Sequence, residues 1–229
     1  MRDSDHPGKA FKINKNSAMT RFSCLETRAT VPRSLMTLFT PPAKKYAGYI
    51  FDCDGTLADS MPVHYLAWAD TVRMHGGQIP EELFYRLGGW PSRKMVEFLN
   101  ERFGTSLDPE TIATEKERLY LQRIEKIRPI PEVADFARRA AQFAKVSVAS
   151  GGVLPVVSKT LDAIGFEDFF SVIVTSEQVA HGKPFPDIFL EAARRMGVPP
   201  SDCLVLEDSP AGFEAATAAG MDYAVVSPQ

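Results

Sequence analysis

Apolar residues recur along most of this chain at strand or helix spacing, and the two spacings alternate. The first such stretch, Tyr46 with Tyr49-Ile50-Phe51, is apolar and β-prone, and it stops at Asp52 and Asp54, two acids one residue apart, followed by the turn residue Gly55. This predicts a buried strand that delivers carboxylates to its carboxyl end, the edge at which open parallel α/β sheets bind ligands. Asp59 or Ser60 is placed to cap a helix with Pro62 in its first turn and His64, Ala67, Trp68 and Thr71 on one face, closed by Gly76-Gly77. Helical patterns continue over 81–87, over 92–103 after the turn Gly88-Gly89-Trp90-Pro91, and from 109 to about 127. A crossover between parallel strands needs only about a dozen residues, and the next strong strand pattern begins near Val146. The surplus predicts a separate helical subdomain, since structureless loops of that length are rare in compact proteins.

After Pro131 helices and strands repeat in pairs: helix 132–143 with strand 145–149, helix 155–164 with strand 171–175, helix 187–196 with strand 203–207, and helix 210–219 with strand 223–226. Ser209 as N-cap, Pro210 at the first helical position and Gly220 after the last turn specify the final helix best. The alternation predicts an α/β fold, a doubly wound parallel sheet over 46–60 and 130–229 with helices on both faces and a helical insertion over 61–129.

Composition changes the picture mainly at the amino end. Residues 1–45 hold nine Lys and Arg against three acids, while the rest of the chain is acidic and the net charge is −3. That basic tail lacks sustained periodicity and is expected to be disordered; it suits an organelle leader or an arm touching nucleic acid, or the translation start lies at Met19 or Met36. The last is favoured, so no nucleic-acid partner is expected. At 229 residues and 45% apolar content the chain can fill a sizeable core, and no apolar run approaches the roughly 20 residues that span a bilayer, so no membrane is expected. Three scattered cysteines, Cys24, Cys53 and Cys203, make neither a disulfide framework nor a metal knuckle and suit a reducing cytoplasm. Cys53, between the two acids, is taken as an apolar spacer rather than a nucleophile.

Three further strand ends or following loops carry polar residues: Ser150-Gly151-Gly152, then His181-Gly182-Lys183-Pro184 after the third strand, then Glu207-Asp208-Ser209. A carboxylate can attack phosphorus and divide one hard displacement into two easier ones. Clustered acids repel one another, and a hard divalent cation with oxygen ligands relieves that repulsion, which points to Mg²⁺. A hydroxyl and glycine amides can bind phosphoryl oxygens, and a lysine adds fixed positive charge.

The segments DCDGT with Leu57, SVASGG, GKPFPD and LEDSPAG resemble the four ordered motifs of the haloacid dehalogenase superfamily, over about residues 46–226, and the insertion resembles that family's C1 cap. Within it the chain is most similar to the β-phosphoglucomutase-like branch, which includes sugar phosphatases of the fructose-1-phosphatase group. The resemblance implies Asp52 as nucleophile and Asp54 as general acid and base. It implies Ser150, Gly151, Gly152 and Lys183 around the phosphoryl group, and Mg²⁺ on Asp52, Asp208 and the backbone carbonyl of Asp54. Glu207 would stand behind the metal and orient its waters or Lys183.

Asp54 sets the chain apart from the dehalogenases, which by the resemblance lack an acid there, and the threonine that P-type ATPases carry two places after the nucleophile is also absent. A mutase must grip a second phosphate, and the β-phosphoglucomutases resemble one another in a Lys-Gly-x-x-Arg cap loop. Here the corresponding turn is Leu87-Gly88-Gly89-Trp90-Pro91-Ser92-Arg93, with glycine and serine at the two cationic places unless the loop shifts by one. The expected function is therefore a Mg²⁺-dependent phosphatase acting on a small sugar phosphate, as a cytoplasmic monomer or weak dimer. The alternatives are a phosphosugar mutase and a phosphate-sensing module without turnover. His64 and Arg93 are expected to read the organic part of the substrate, although His64 also suits a hinge and Arg93 a solvated helix face. Trp90 either shields the site or packs the turn.

Overall fold

The structure is a computed structural model that describes residues 39–88 and 90–227. The basic tail lies outside these residues up to position 38. Of its last residues, Phe39 is buried with its ring centroid 5.3 Å from that of Phe136, and Lys44 pairs with Asp222 at the surface.

Five strands, β1 (Gly48–Phe51), β2 (Lys145–Ser150), β3 (Ile173–Thr175), β4 (Cys203–Glu207) and β5 (Asp222–Val225), form a parallel sheet in the order β3-β2-β1-β4-β5. β1 is central, with Tyr49 opposite Val146 and Leu204 and Ile50 opposite Ser147 and Val205. Successive side chains point to opposite faces and both faces are covered, so all four β1 residues are buried. Tyr49 and Phe51 face one layer with α5 (Pro131–Ala140) and α6 (Leu154–Ala163), while Ile50 faces the other with α7 (Asp187–Met196) and α8 (Pro210–Ala218). This is the doubly wound arrangement expected. Several boundaries move, most by a single residue. The helix expected over 132–143 ends at Ala140, the strand expected over 171–175 is Ile173–Thr175, and β2 extends to Ser150.

Between β1 and α5 lie α1 (Met61–Met74), α2 (Glu81–Arg86), α3 (Ser92–Phe103) and α4 (Pro109–Leu121). They enclose their own cluster of Trp68, Val72, Phe84, Met95, Val96, Leu99 and Ile112. The helix expected to run to about residue 127 stops at Leu121, and a 3₁₀ turn, Ile124–Lys126, follows. The two connections to the sheet run side by side: Ala58 bridges Pro129, Asp59 N–H donates to Arg128 O, and Ile130 N–H donates to Leu57 O. Leu119 and Tyr120 of α4 join the sheet-side core rather than the helical cluster. Among the described residues no helix is long and apolar enough to cross a membrane.

Candidate active site

The strand order places the switch point at β1, whose neighbours β2 and β4 diverge there, so the carboxyl ends of these three strands border one crevice. A cavity of ≈ 490 Å³ lies there, with Asp52, Asp54, Ser150, Lys183, Glu207 and Asp208 at its floor. Lys183, buried on the loop before α7, donates to Asp52 Oδ1 at 2.7 Å and to Glu207 Oε1 at 2.5 Å. Burial disfavours the Lys183 charge, but the two carboxylates outweigh it and raise its pKa. Glu207 Oε2 accepts the backbone N–H groups of Asp208 (2.6 Å) and Ser209 (2.8 Å). Burial pushes Glu207 up, yet Lys183 and these amides pull it below its usual value, so it stays ionised.

Asp208 has no such support. Burial, followed by the charges of Asp52 and Glu207, pushes its pKa far upward. Asp52 is raised for the same first reason, against the opposing charge of Lys183. One carboxylate oxygen each from Asp52, Glu207 and Asp208 lies within 4.8 Å of the others. Three hard oxygen donors with one lysine between them suit a hard divalent cation. Gly55 makes room for this approach: it has φ +87°, and a Cβ there would overlap the Asp208 carboxylate.

Asp54 is held differently. Its Oδ1 accepts from Ser60 Oγ (2.6 Å) and from His64 Nε2 (2.9 Å), both at the start of α1. Ser60 occupies the N-cap position of α1, but its hydroxyl serves Asp54 rather than the helix end. Burial pushes the Asp54 carboxyl up; the charge and hydrogen bond of His64, the Ser60 hydrogen bond and the Lys116 charge outweigh that and set it at about 2. Burial and Lys116 in turn lower His64, so its ring is neutral at pH 7 and donates Nε2–H to an ionised Asp54. Ser150 Oγ accepts Gly152 N–H at 3.1 Å, and Ser176 donates both its N–H and its hydroxyl to Gly152 O, which braces the loop after β2.

The sequence model of the haloacid dehalogenase-like hydrolases matches residues 46–220. The chain belongs to that family. It is 35% identical over 180 residues to fructose-1-phosphate phosphatase YqaB of Escherichia coli, covering 78% of this chain and 95% of that one. It is 31% identical over 181 residues to β-phosphoglucomutase of Bacillus subtilis, covering 75% and 79%. The crystal structure of CbbY from Rhodobacter sphaeroides in complex with phosphate superposes with a TM-score of 0.69 at 27% identity, over 78% of this chain and 84% of that one.

In this haloacid dehalogenase-like hydrolase the strand-end residues expected from sequence, Asp52, Asp54, Ser150, Gly151, Gly152, Lys183, Glu207 and Asp208, all border the one cavity. The helical layer contributes further lining residues. His64 lines the cavity, with its ring buried and its Nε2 edge engaged by Asp54. Arg93 stands at the mouth, mostly exposed, with its guanidinium paired to Glu110. Trp90 packs edge-on against Phe98 and lines the cavity. Gly89 lies outside the described residues. Lys116 was missed. It is buried on α4 with its ammonium 5.8 Å from the ring centroids of both Trp68 and Tyr120, and burial lowers its pKa against the pull of Asp54 and Glu117. The signal was available, because Ile112, Lys116, Leu119 and Tyr120 fall at i, i+4, i+7, i+8, a lysine on the apolar stripe.

Proposed function

We propose that this chain is a Mg²⁺-dependent phosphatase that hydrolyses a small sugar phosphate through an aspartyl-phosphate on Asp52, with helices α1–α4 acting as a cap over the site. The observation that carries the reading is the meeting of Asp52, Asp54, Ser150, Lys183 and Asp208 around one cavity roofed by Trp68, Phe84, Tyr85, Trp90 and Met95. A similar protein named for fructose-1-phosphate phosphatase activity supports a sugar ester as the substrate class.

In the first step a carboxylate oxygen of Asp52 attacks phosphorus and the bond from phosphorus to the ester oxygen breaks. Asp54 is ionised in the free protein. A phosphoryl dianion beside it raises its proton affinity, so a proton taken up with the substrate passes from Asp54 to the departing alcohol oxygen. In the second step Asp54 takes a proton from water as that water attacks phosphorus, and the bond to Asp52 breaks to release inorganic phosphate. Ser150 and the amides of Gly151 and Gly152 bind the non-bridging oxygens, while Lys183 holds Asp52 in place and offsets negative charge. Asp52, Asp208 and the backbone carbonyl of Asp54 would hold Mg²⁺, with Glu207 behind it fixing Lys183. The ion, when bound, neutralises the clustered acids and the phosphoryl charge.

Two observations favour hydrolysis over phosphosugar transfer: Arg93 is paired to Glu110, and Lys116, the cation under the roof, stands beside Asp54. A sensing module without turnover does not need a seated pair of acids at β1. The protein is read as cytoplasmic, a monomer or weak dimer, with no nucleic-acid partner. The test is a phosphate-release screen over hexose and pentose phosphates with Mg²⁺, repeated with Asp52→Asn. Release that the substitution abolishes is expected; release that survives it contradicts the covalent route. Isomerisation of β-glucose 1-phosphate with a bisphosphate primer and no phosphate release would instead make the chain a mutase.

A further inference from the structure

Asp54 takes its side-chain donors from α1 rather than from the sheet, so its aim depends on how α1 is held. His64 is the weaker of the two supports to explain. With Nε2 on Asp54 the other ring nitrogen, Nδ1, is buried with no hydrogen-bond partner among the described residues. An imidazole fixed at one nitrogen only can swing about its side-chain bonds. What stands against it is Tyr120, one helix away on α4, stacked face to face with ring centroids 3.9 Å apart and planes 5° apart.

Tyr120 is fully buried, and its hydroxyl lies 2.7 Å from Thr160 Oγ1 on α6. Thr160 donates its own proton to Val156 O at 3.0 Å, so Tyr120 is the donor in that pair. α6 begins directly after the Ser150-Gly151-Gly152 loop. A single line of contacts, Asp54 to His64 to Tyr120 to Thr160, thus leaves the sheet at β1, passes through two helices of the insertion and returns to the helix that follows the β2 loop.

We infer that Tyr120 is a positioning residue for the acid and base carboxylate: its ring keeps His64 in the plane that aims Nε2–H at Asp54, and its hydroxyl sets that plane by anchoring on Thr160. This rests on the reading of Asp54 as the group that protonates the leaving oxygen. Two parts of one side chain do separable things, and substitution can separate them. Leucine at 120 removes the ring, phenylalanine removes only the anchor, and Thr160→Val removes the same anchor from the other end.

The readout is the ratio of kcat/KM on a sugar phosphate to kcat/KM on p-nitrophenyl phosphate. Both values report steps up to departure of the alcohol or phenol, and nitrophenolate leaves without needing a proton, so only the sugar ester feels a misplaced Asp54. Tyr120→Leu is expected to lower the ratio by about tenfold to a hundredfold, the scale on which misplacement of catalytic groups acts. Tyr120→Phe and Thr160→Val are each expected to lower it about threefold, and together no further, since they delete one shared hydrogen bond. Should Tyr120→Leu fail to fold, the latter pair still decides. A ratio that stays at the wild-type value in every variant that folds overturns the inference, even where all rates fall together. Wild-type protein that hydrolyses neither ester overturns the phosphatase reading instead.

Discussion

Lys183 sits between two carboxylates with almost no exposure, and its loss would leave Asp52 and Glu207 buried without their counter-charge. Lys183→Met is expected to remove activity and, in metal-free buffer, to destabilise the fold by about 3–5 kcal/mol, the cost of breaking a buried pair at one end; denaturant unfolding with and without the substitution measures it. At this scale the acids and Ser150 were legible because each stands where an apolar run stops, and Lys183 because it sits in a polar loop after β3. Cys53 was legible as a spacer, and it is buried in the sheet-side core. The use of His64 was not, because its donor edge can be assigned only when Asp54, ten residues away, is seen beside it. Lys116 was hidden by the assumption that lysines on helices face water.

At the scale of elements, α8 packs so closely on the end of β4 that a Cβ on Gly212 would overlap the Glu207 carboxylate. Glycine to alanine inside a helix ordinarily stabilises by about 0.5–1 kcal/mol. Gly212→Ala should reverse that sign, displace Glu207 from Lys183 and lower kcat by at least about tenfold, which a thermal melt and a rate measurement would register together. On α7, hydrogen bonds from Arg194 and then Arg195 hold Glu191 at about 2, below the usual glutamate value of 4.5. Its folded pKa is depressed, so its contribution to stability is complete above the unfolded value and is lost as pH falls from about 4.5 towards 2. The melting temperatures of wild type and Glu191→Gln should therefore converge across that window while differing at pH 7. α7 and β4 carry the bounds that the sequence predicted, 187–196 and 203–207, since Gly197 and the apolar run at Leu204 punctuate them sharply. β3 is shorter than predicted; it is an edge strand, and only Ile173–Thr175 pair with β2.

The whole molecule brings more negative charge to one rim than it neutralises, and a bound cation should therefore stabilise it. Mg²⁺ is expected to raise the melting temperature and chelation to lower it and abolish phosphate release; at about tenfold above its Kd the ion would add about 1.4 kcal/mol. A scan with and without chelator checks this, and no shift at saturating Mg²⁺ would contradict the metal site. Alternation of helix and strand, the helical insertion and the acids at strand ends follow from residues near one another in the chain, because periodicity and turn chemistry are local. Lys183 meets Asp52 from 131 positions away, and Tyr120 meets Thr160 from 40. Which partner each buried polar group takes depends on how helices settle against the sheet, and that is decided by packing among side chains that no local pattern brings together.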